Sequence, residues 1–217
     1  MFIKGNLHKI KSSLSPQVTL VAVSKTYGAD KIMEAYYCGQ RIFGENKVQE
    51  MVDKYEQLPK DIEWHLIGHL QTNKVKYIAP FVSLIHSVDS MKLLVEIDKQ
   101  AKKNNRIVSC LLQAYIASED TKFGLYLNEI QDIMNSDEFK NLNNIRVIGL
   151  MGMASNVSDQ DQIAREFKTL KMEFDKYPDF TVLCMGMSSD YLIAIENGST
   201  MIRVGTAIFG ERDYSKG

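Results

Sequence analysis

One lysine in this chain has a position that suggests chemistry. Residues 18–26 read VTLVAVSKT, and the almost continuous apolar run reaches its end at Lys25. Such a run is typical of a strand that is buried on both faces, as strands of parallel sheets are. A lysine at the end of that strand either turns out into solvent, because ammonium groups are rarely buried unpaired, or stays desolvated as an amine that can form a Schiff base.

Two glycine-containing loops late in the chain carry hydroxyl groups. Residues 186–190 read GMSSD and residues 203–207 read RVGTA. Backbone N–H groups and hydroxyls at the start of a helix bind anions, and glycine lets the backbone approach the ligand closely. The sequence therefore favours a phosphate site made of Ser188, Ser189, Gly205 and Thr206. The alternative is that the three hydroxyl residues are ordinary helix N-caps.

Arg203 precedes Gly205 by two residues on the same strand. Residues i and i+2 share a face of a strand, so we expect Arg203 to point the same way as Gly205. A buried guanidinium needs a partner. That partner is either a structural carboxylate, Glu45 or Asp89, or a ring nitrogen or carboxylate of a ligand.

Histidines and cysteines do not form a recognisable site in the sequence. His65 and His69 are four residues apart, but they flank a predicted strand end and a glycine rather than sharing a helix face, so we predict no metal site. Cys38, Cys110 and Cys184 have no sequence neighbour that would lower a thiol pKa. We predict no catalytic residue among them.

The elements that must position these residues alternate between strand and helix. After an opening amphipathic helix over about residues 2–14, eight short apolar strands are each followed by a helical pattern. This alternation predicts a parallel sheet with right-handed crossovers. Eight units favour a closed (β/α)8 TIM barrel over a doubly wound open sheet, and no Gly-x-Gly-x-x-Gly follows the first strand.

A barrel brings the candidates together. Active sites of this fold lie at the C-terminal ends of the strands, and the loops after strands seven and eight usually bind phosphate. A Schiff-base lysine, an anion site and a buried arginine together fit pyridoxal 5′-phosphate, with Lys25 bound to the aldehyde and Arg203 at the pyridine nitrogen. A barrel aldolase that forms a Schiff base with a sugar phosphate is the competing interpretation.

Composition excludes several classes of protein. The 217 residues include 26 basic and 27 acidic ones, well mixed, so nothing suggests a nucleic-acid partner. No apolar run is long enough to cross a bilayer, and the N-terminus lacks the pattern of a signal peptide. An odd number of separated cysteines without a Cys-x-x-Cys motif indicates a reduced, cytoplasmic protein. We expect one domain over residues 1–217.

The motifs resemble those of one family over nearly the whole chain. LVAVSKT, FGENKVQEM, WHLIGHLQTNK, IRVIGLMGMA, GMSSDYLIAIENGSTMIRVGTAIFG and the ending ERDYSKG resemble the pyridoxal phosphate homeostasis proteins of the YggS/PROSC type. The resemblance implies a single barrel similar to the N-terminal domain of alanine racemase, with pyridoxal phosphate covalently on Lys25. It also implies Asn46 near the cofactor, Met151 in the floor of the site, Ser188, Ser189, Gly205 and Thr206 on the phosphate, and Arg203 on the ring.

Two positions depart from the pattern of the family. Many relatives have lysine and proline just after SKT, where this chain has Tyr27 and Gly28, so a lysine thought to assist cofactor exchange is absent there. The loop DTKFG keeps the lysine of the family as Lys122 but has Phe123 where a small or polar residue is common. The first departure bears on how fast the cofactor exchanges.

The resemblance implies a protein that binds, stores and delivers the cofactor, and so serves cofactor and amino-acid homeostasis, with little or no catalysis. Racemases of this fold type take a second base from an additional β domain, and this chain ends at Gly217, shortly beyond strand eight. The alternative is an amino-acid racemase of the alanine racemase type. Expected partners are pyridoxal phosphate and apo-enzymes that receive it. We expect a monomer, with a dimer as the alternative.

Overall fold

Eight parallel strands close into a barrel. The computed structural model describes residues 2–118 and 123–211, so Lys122 and most of the ending ERDYSKG lie outside the described residues. Each strand pairs with the next in chain order, and β8 pairs with β1. The predicted (β/α)8 barrel is confirmed, and the open sheet is wrong. The strands are β1 Thr19–Val23, β2 Ile42–Glu45, β3 Glu63–Leu66, β4 Leu84–Val88, β5 Val108–Ala114, β6 Ile145–Gly152, β7 Val182–Cys184 and β8 Met201–Val204.

Helices surround the barrel in the described part of the chain. They are α1 Phe2–Ser12, α2 Ala29–Tyr37, α3 Val48–Gln57, α4 Val75–Ile78, α5 Met91–Lys103, α6 Leu127–Asn135, α7 Asp137–Lys140, α8 Gln160–Phe174, α9 Tyr191–Glu196 and α10 Thr206–Phe209, with a 3₁₀ turn at Thr72–Lys74. The opening helix ends two residues earlier than predicted. Two helices, α6 and α7, lie between β5 and β6 where one was expected. None of the described helices is long and apolar enough to cross a membrane.

Strand alternation divides the apolar side chains between two cores. Val21, Leu111 and Met151 belong to a small cluster inside the barrel. Leu20 and Ala22, the neighbours of Val21, belong to the large cluster between the strands and the helices. Because successive side chains of a strand point to opposite faces, Val23 and Lys25 continue the inward row of Val21. The alternation thus directs Lys25 towards the barrel mouth.

Helix α2 begins without a polar cap residue. Gly28, which has no side chain that could cap the helix, occupies the N-cap position. Asp30 lies in the first turn, where a negative charge interacts favourably with the helix dipole. The lysine-bearing turn after β1 therefore runs into α2 through Gly28.

A substitution at Gly149 tests how closely β6 and β7 approach each other. A Cβ at Gly149 would overlap the carbonyl oxygen of Val182, whereas a Cβ at Gly5 on α1 would meet nothing within 4 Å. We expect Gly149→Ala to lower the free energy of unfolding by about 1–3 kcal/mol, as overpacking does. Gly5→Ala should raise it by about 0.5–1 kcal/mol, because alanine favours the helix. Denaturant unfolding of both variants measures this, and equal stability of the two would contradict the packing described.

Candidate functional site

A cavity of about 290 Å³ opens at the C-terminal ends of β1, β3, β7 and β8. A larger cavity, about 480 Å³, lies at the other end of the barrel between α1 and the starts of β1 and β2. Barrel enzymes carry their chemistry at the C-terminal ends of the strands, so the smaller cavity is the candidate site. Its lining residues are Val23, Lys25, Ile67, Met187, Ser188, Ser189, Arg203, Gly205 and Thr206.

Six of the eight predicted site residues line this cavity, and two do not. Asn46 follows β2 at the barrel mouth and is half-buried. A Cβ at Gly68 would overlap the backbone of Asn46, so the two loops are in close contact. Met151 is 1% exposed and fills the barrel interior in one cluster with Val21 and Cys184.

Lys25 lies in a tight turn just beyond β1. The strand ends at Val23, and Lys25 is half-buried two residues later. Thr26 follows with φ 71°, a left-handed conformation that is rare for a β-branched residue. The N–H of Tyr27 donates to the carbonyl of Ser24 at 3.1 Å and closes the turn. Lys25 therefore projects from a defined turn into the cavity.

The loops after β7 and β8 are joined by Ser188, whose Oγ accepts from the N–H of Gly205 at 3.2 Å. The N-cap of α9 is Asp190, and its Oδ1 accepts from the N–H of Met187 at 2.6 Å. Gly205 is the N-cap of α10. Since the cap positions belong to Asp190 and Gly205, the interpretation of Ser188, Ser189 and Thr206 as N-caps is wrong.

Arg203 is buried with one donor group unused. It is 4% exposed, and its Nη1 donates to Cys184 Sγ at 3.1 Å. Its Nη2 is buried and has no hydrogen-bond partner among the described residues. A buried donor without an acceptor costs about 1–3 kcal/mol, and more when charged. Because Arg203 lines the cavity, an acceptor on a ligand would offset this cost.

The two predicted carboxylate partners of Arg203 are engaged elsewhere. Glu45 Oε1 lies 2.8 Å from Lys54 Nζ, and Asp89 Oδ2 lies 3.5 Å from His69 Nδ1. The ion-pair interpretation of Arg203 is therefore wrong. Sequence spacing could not locate these carboxylates, because their positions depend on which helix packs behind each strand.

Below Arg203, polar side chains continue through the barrel. Cys184 Sγ lies 3.3 Å from His86 Nδ1, and His86 Nε2 lies 2.9 Å from His65 Nδ1. Burial lowers the pKa of His65 to about 3 and that of His86 well below its usual value, with His65 and Arg203 adding to the effect on His86. Both histidines are therefore neutral at pH 7.

The structure corrects the prediction for Cys184. The sequence suggested no neighbour that lowers its thiol pKa, but Arg203 is such a neighbour at 3.1 Å. Burial has the larger effect and raises the pKa of the Cys184 thiol.

His65 is buried inside the barrel while the side chain of His69 is 62% exposed. Within residues 2–118 and 123–211, no group of three His, Cys, Asp or Glu side chains could hold a metal ion.

Three apolar lining residues escaped sequence reasoning: Val23, Ile67 and Met187. The sequence position of each residue could have indicated that it lines the site. Val23 precedes Lys25 by two residues, Ile67 follows β3, and Met187 separates Gly186 from Ser188. They form the apolar walls between the polar groups, an arrangement that is common in cofactor pockets.

Comparison with known proteins identifies the family. The family described as "Alanine racemase, N-terminal domain" matches residues 2–213. The pyridoxal phosphate homeostasis protein of Aquifex aeolicus is 40% identical over 201 residues, which cover 90% of this chain and 87% of that protein. The protein of that name from Escherichia coli strain K12 is 39% identical, with 92% and 88% covered. The chain belongs to the pyridoxal phosphate homeostasis protein family, within the alanine racemase N-terminal domain group.

Solved structures agree with this assignment. PipY of Synechococcus elongatus, solved without pyridoxal phosphate, superposes with a TM-score of 0.89 at 35% identity and covers 96% of this chain and 100% of its own. The same protein with pyridoxal phosphate bound gives a TM-score of 0.87. Alanine racemase of Clostridium difficile gives 0.80 at 14% identity, over 99% of this chain and 58% of that one, and shares the fold.

Because His86 is buried in its neutral form, we expect the free energy of unfolding to fall at acid pH. The unfolded chain binds a proton at His86 near pH 6.5, which the native state excludes. The stability contributed by a neutral His86 is thus present above about pH 6.5 and lost as the pH falls. Relative to His86→Gln, the wild type should lose roughly 2 kcal/mol of unfolding free energy between pH 7 and pH 5.

Denaturant unfolding at the two pH values measures this loss. His8→Gln on the exposed face of α1 is the matched control and should leave the pH dependence of the wild type unchanged. A stability difference between wild type and His86→Gln that does not vary with pH would show that His86 binds a proton as readily in the native state as in the unfolded chain.

Proposed function

We propose that this chain binds pyridoxal 5′-phosphate covalently on Lys25 and holds it for delivery to apo-enzymes, with little or no turnover. The observation that carries the proposal is the buried Nη2 of Arg203, which has no hydrogen-bond partner among the described residues and belongs to a side chain that lines the same cavity as Lys25. The pyridoxal phosphate in PipY and the names of the relatives support the same ligand.

The chemistry of the described residues fits each part of this cofactor. Pyridoxal phosphate supplies an aldehyde that condenses with primary amines and an aromatic ring that withdraws electrons. Lys25 would supply the amine, and Arg203 Nη2 would donate to the pyridine nitrogen. The phosphate would be held by Ser188, Ser189, Gly205 and Thr206, which line the same cavity. Asn46 at the mouth and Met151 beneath the cavity stay proposed contacts.

The protonated guanidinium of Arg203 supports storage of the cofactor rather than catalysis. A guanidinium remains protonated at all relevant pH values and is a donor only. It would therefore leave the pyridine nitrogen unprotonated, and an unprotonated ring stabilises negative charge poorly. Besides Lys25, the described lining residues carry only hydroxyl, guanidinium and apolar side chains or no side chain. An amino-acid racemase remains the second candidate, and its turnover is an outcome of the first test below.

The identity of the receiving enzymes, a monomeric state and a cytoplasmic location stay predictions. So does a single domain over residues 1–217. A transfer assay into an apo-enzyme, compared with free pyridoxal phosphate, tests delivery directly.

Lys25→Ala tests the covalent linkage. Wild-type protein with pyridoxal phosphate should absorb in the visible range, and borohydride should fix the cofactor to the peptide that contains Lys25. Lys25→Ala should be colourless, while Lys31→Ala, a change on the exposed face of α2, should behave as the wild type. An unchanged absorbance band in Lys25→Ala would refute the linkage. Racemisation of added alanine or serine above roughly 1 s⁻¹, the low end for typical enzymes, would favour the racemase.

Ser189→Ala and Thr206→Val test the phosphate site. Each removes a hydroxyl that would bond a charged oxygen, an interaction of about 1.5–3 kcal/mol. We expect each variant to weaken pyridoxal phosphate binding by roughly 10- to 100-fold while pyridoxal, which lacks the phosphate, binds as it does to the wild type. Thr169→Val on the exposed face of α8 is the matched control. An equal loss for both ligands would place the phosphate elsewhere.

A further inference from the structure

Helix α3 holds the backbone on both sides of Lys25 from behind the barrel. Lys54 Nζ donates to the carbonyl of Ser24 at 2.9 Å. The N–H of Thr26 donates to Glu50 Oε1 at 2.6 Å. Lys54 Nζ and the same Glu50 oxygen are 2.7 Å apart. The peptide groups before and after Lys25 are thus both bound to one ion pair on α3.

Glu50 contacts Thr26, the residue of the turn whose backbone conformation is least favourable. Thr26 has φ 71°, and a left-handed conformation costs an L-residue roughly 1–2 kcal/mol. Such conformations persist where the surrounding structure holds them, and they concentrate at functional sites. The carboxylate of Glu50, accepting from the N–H of Thr26, is a group that stabilises this conformation. The side chain of Glu50 is 24% exposed and does not belong to the apolar core.

Glu45 anchors the lysine end of the ion pair. Its carboxylate is fully buried, and Oε1 accepts from Ser24 Oγ at 2.5 Å and from Lys54 Nζ at 2.8 Å. Its Oε2 has no partner among the described residues. Burial raises the pKa of Glu45 to about 7, against the opposing effect of Lys54. Replacing a buried ion pair with apolar side chains is often neutral or stabilising, so stability alone does not explain these charges.

The charged group lies on the opposite face of the strands from the cavity. Gly44 points inwards, since a Cβ there would meet Val21 and Ile67 at 3.0 and 3.1 Å. By strand alternation Glu45 points outwards, towards α3. Ser24 likewise precedes the inward Lys25. The cluster therefore touches the backbone of the lysine turn without entering the cavity.

We propose that Glu50 and Lys54 are positioning residues for Lys25: they bind the Ser24 carbonyl and the Thr26 N–H and so set the direction in which the Lys25 amine enters the cavity. This inference rests on the proposed function for the identity of the ligand. The two residues act on the aldehyde end of the site, because the backbone that they hold carries Lys25 and none of the phosphate-binding hydroxyls.

Glu50→Ala is the test, because it removes the acceptor of the Thr26 N–H at a partly exposed position in the first turn of α3. We expect roughly tenfold weaker pyridoxal phosphate binding, as misplacement of a reacting group produces, and a smaller fraction that borohydride fixes to Lys25. Pyridoxamine 5′-phosphate carries the same phosphate and ring but cannot condense with an amine, so its affinity should not change. A merely structural role would weaken both ligands equally.

Conservative and matched variants complete the design. Glu50→Gln keeps an oxygen that accepts from the Thr26 N–H and should restore most of the binding. Glu56→Ala, an exposed change on the same helix, should match the wild type. If Glu50→Ala does not fold, Glu50→Asp, whose shorter carboxylate cannot reach both Thr26 and Lys54, takes its place with the same expectation.

The outcomes separate the two proposals. Wild-type protein that binds no pyridoxal phosphate would overturn the proposed function. Two other results would overturn the positioning role alone, provided that the wild type binds pyridoxal phosphate. In the first, Glu50→Ala binds pyridoxal phosphate as well as the wild type does. In the second, Glu50→Ala loses affinity for pyridoxamine phosphate and for pyridoxal phosphate to the same degree.

Discussion

The pairing of β8 with β1 is the interaction on which the site depends. Thr19 lies beside Met201 and Val21 beside Arg203 in this parallel register. That register brings the first strand of the chain against the last, and so places Lys25 next to the loop of Gly205 and Thr206, about 180 residues away in sequence. A closed barrel requires this pairing, because an open sheet would leave both strands at its edges.

Polar groups are buried on both faces of the barrel strands, and the inner and outer groups make different contacts. Inside the barrel, Arg203, Cys184 and His86 contact one another in turn below the cavity. Outside it, Glu45 and Lys54 lie between the strands and α3. Burying a polar group costs free energy unless the group is paired. In each set one atom has no partner among residues 2–118 and 123–211: Arg203 Nη2 inside and Glu45 Oε2 outside. Arg203 lines the candidate cavity and Glu45 does not, and this difference makes Arg203 the stronger indicator of function.

Under the proposed function, this arrangement suits a protein that retains a cofactor more than one that turns over substrate. Lys25 would supply the amine, and Arg203, the residue proposed to meet the ring nitrogen, carries a guanidinium that can only donate. The lysine is held by a turn with a left-handed threonine and by an ion pair behind it. Under the proposed function, a single amine held in this way would favour retention of the cofactor, whereas racemisation would also need a second proton-transfer group on the other face of the substrate.

The sequence by itself determined the features that depend on near neighbours along the chain. Strand and helix alternate with recognisable periods, so the barrel could be counted, and strand alternation and loop composition indicated Lys25, Arg203 and the two hydroxyl loops. Only the tertiary structure decided which distant groups meet. Arg203 contacts Cys184 instead of Glu45 or Asp89, Asp190 and Gly205 occupy the cap positions, and Lys54 reaches the backbone of the lysine turn. These contacts follow from barrel register and from the packing of α3 behind β2 and β3, which no local pattern encodes.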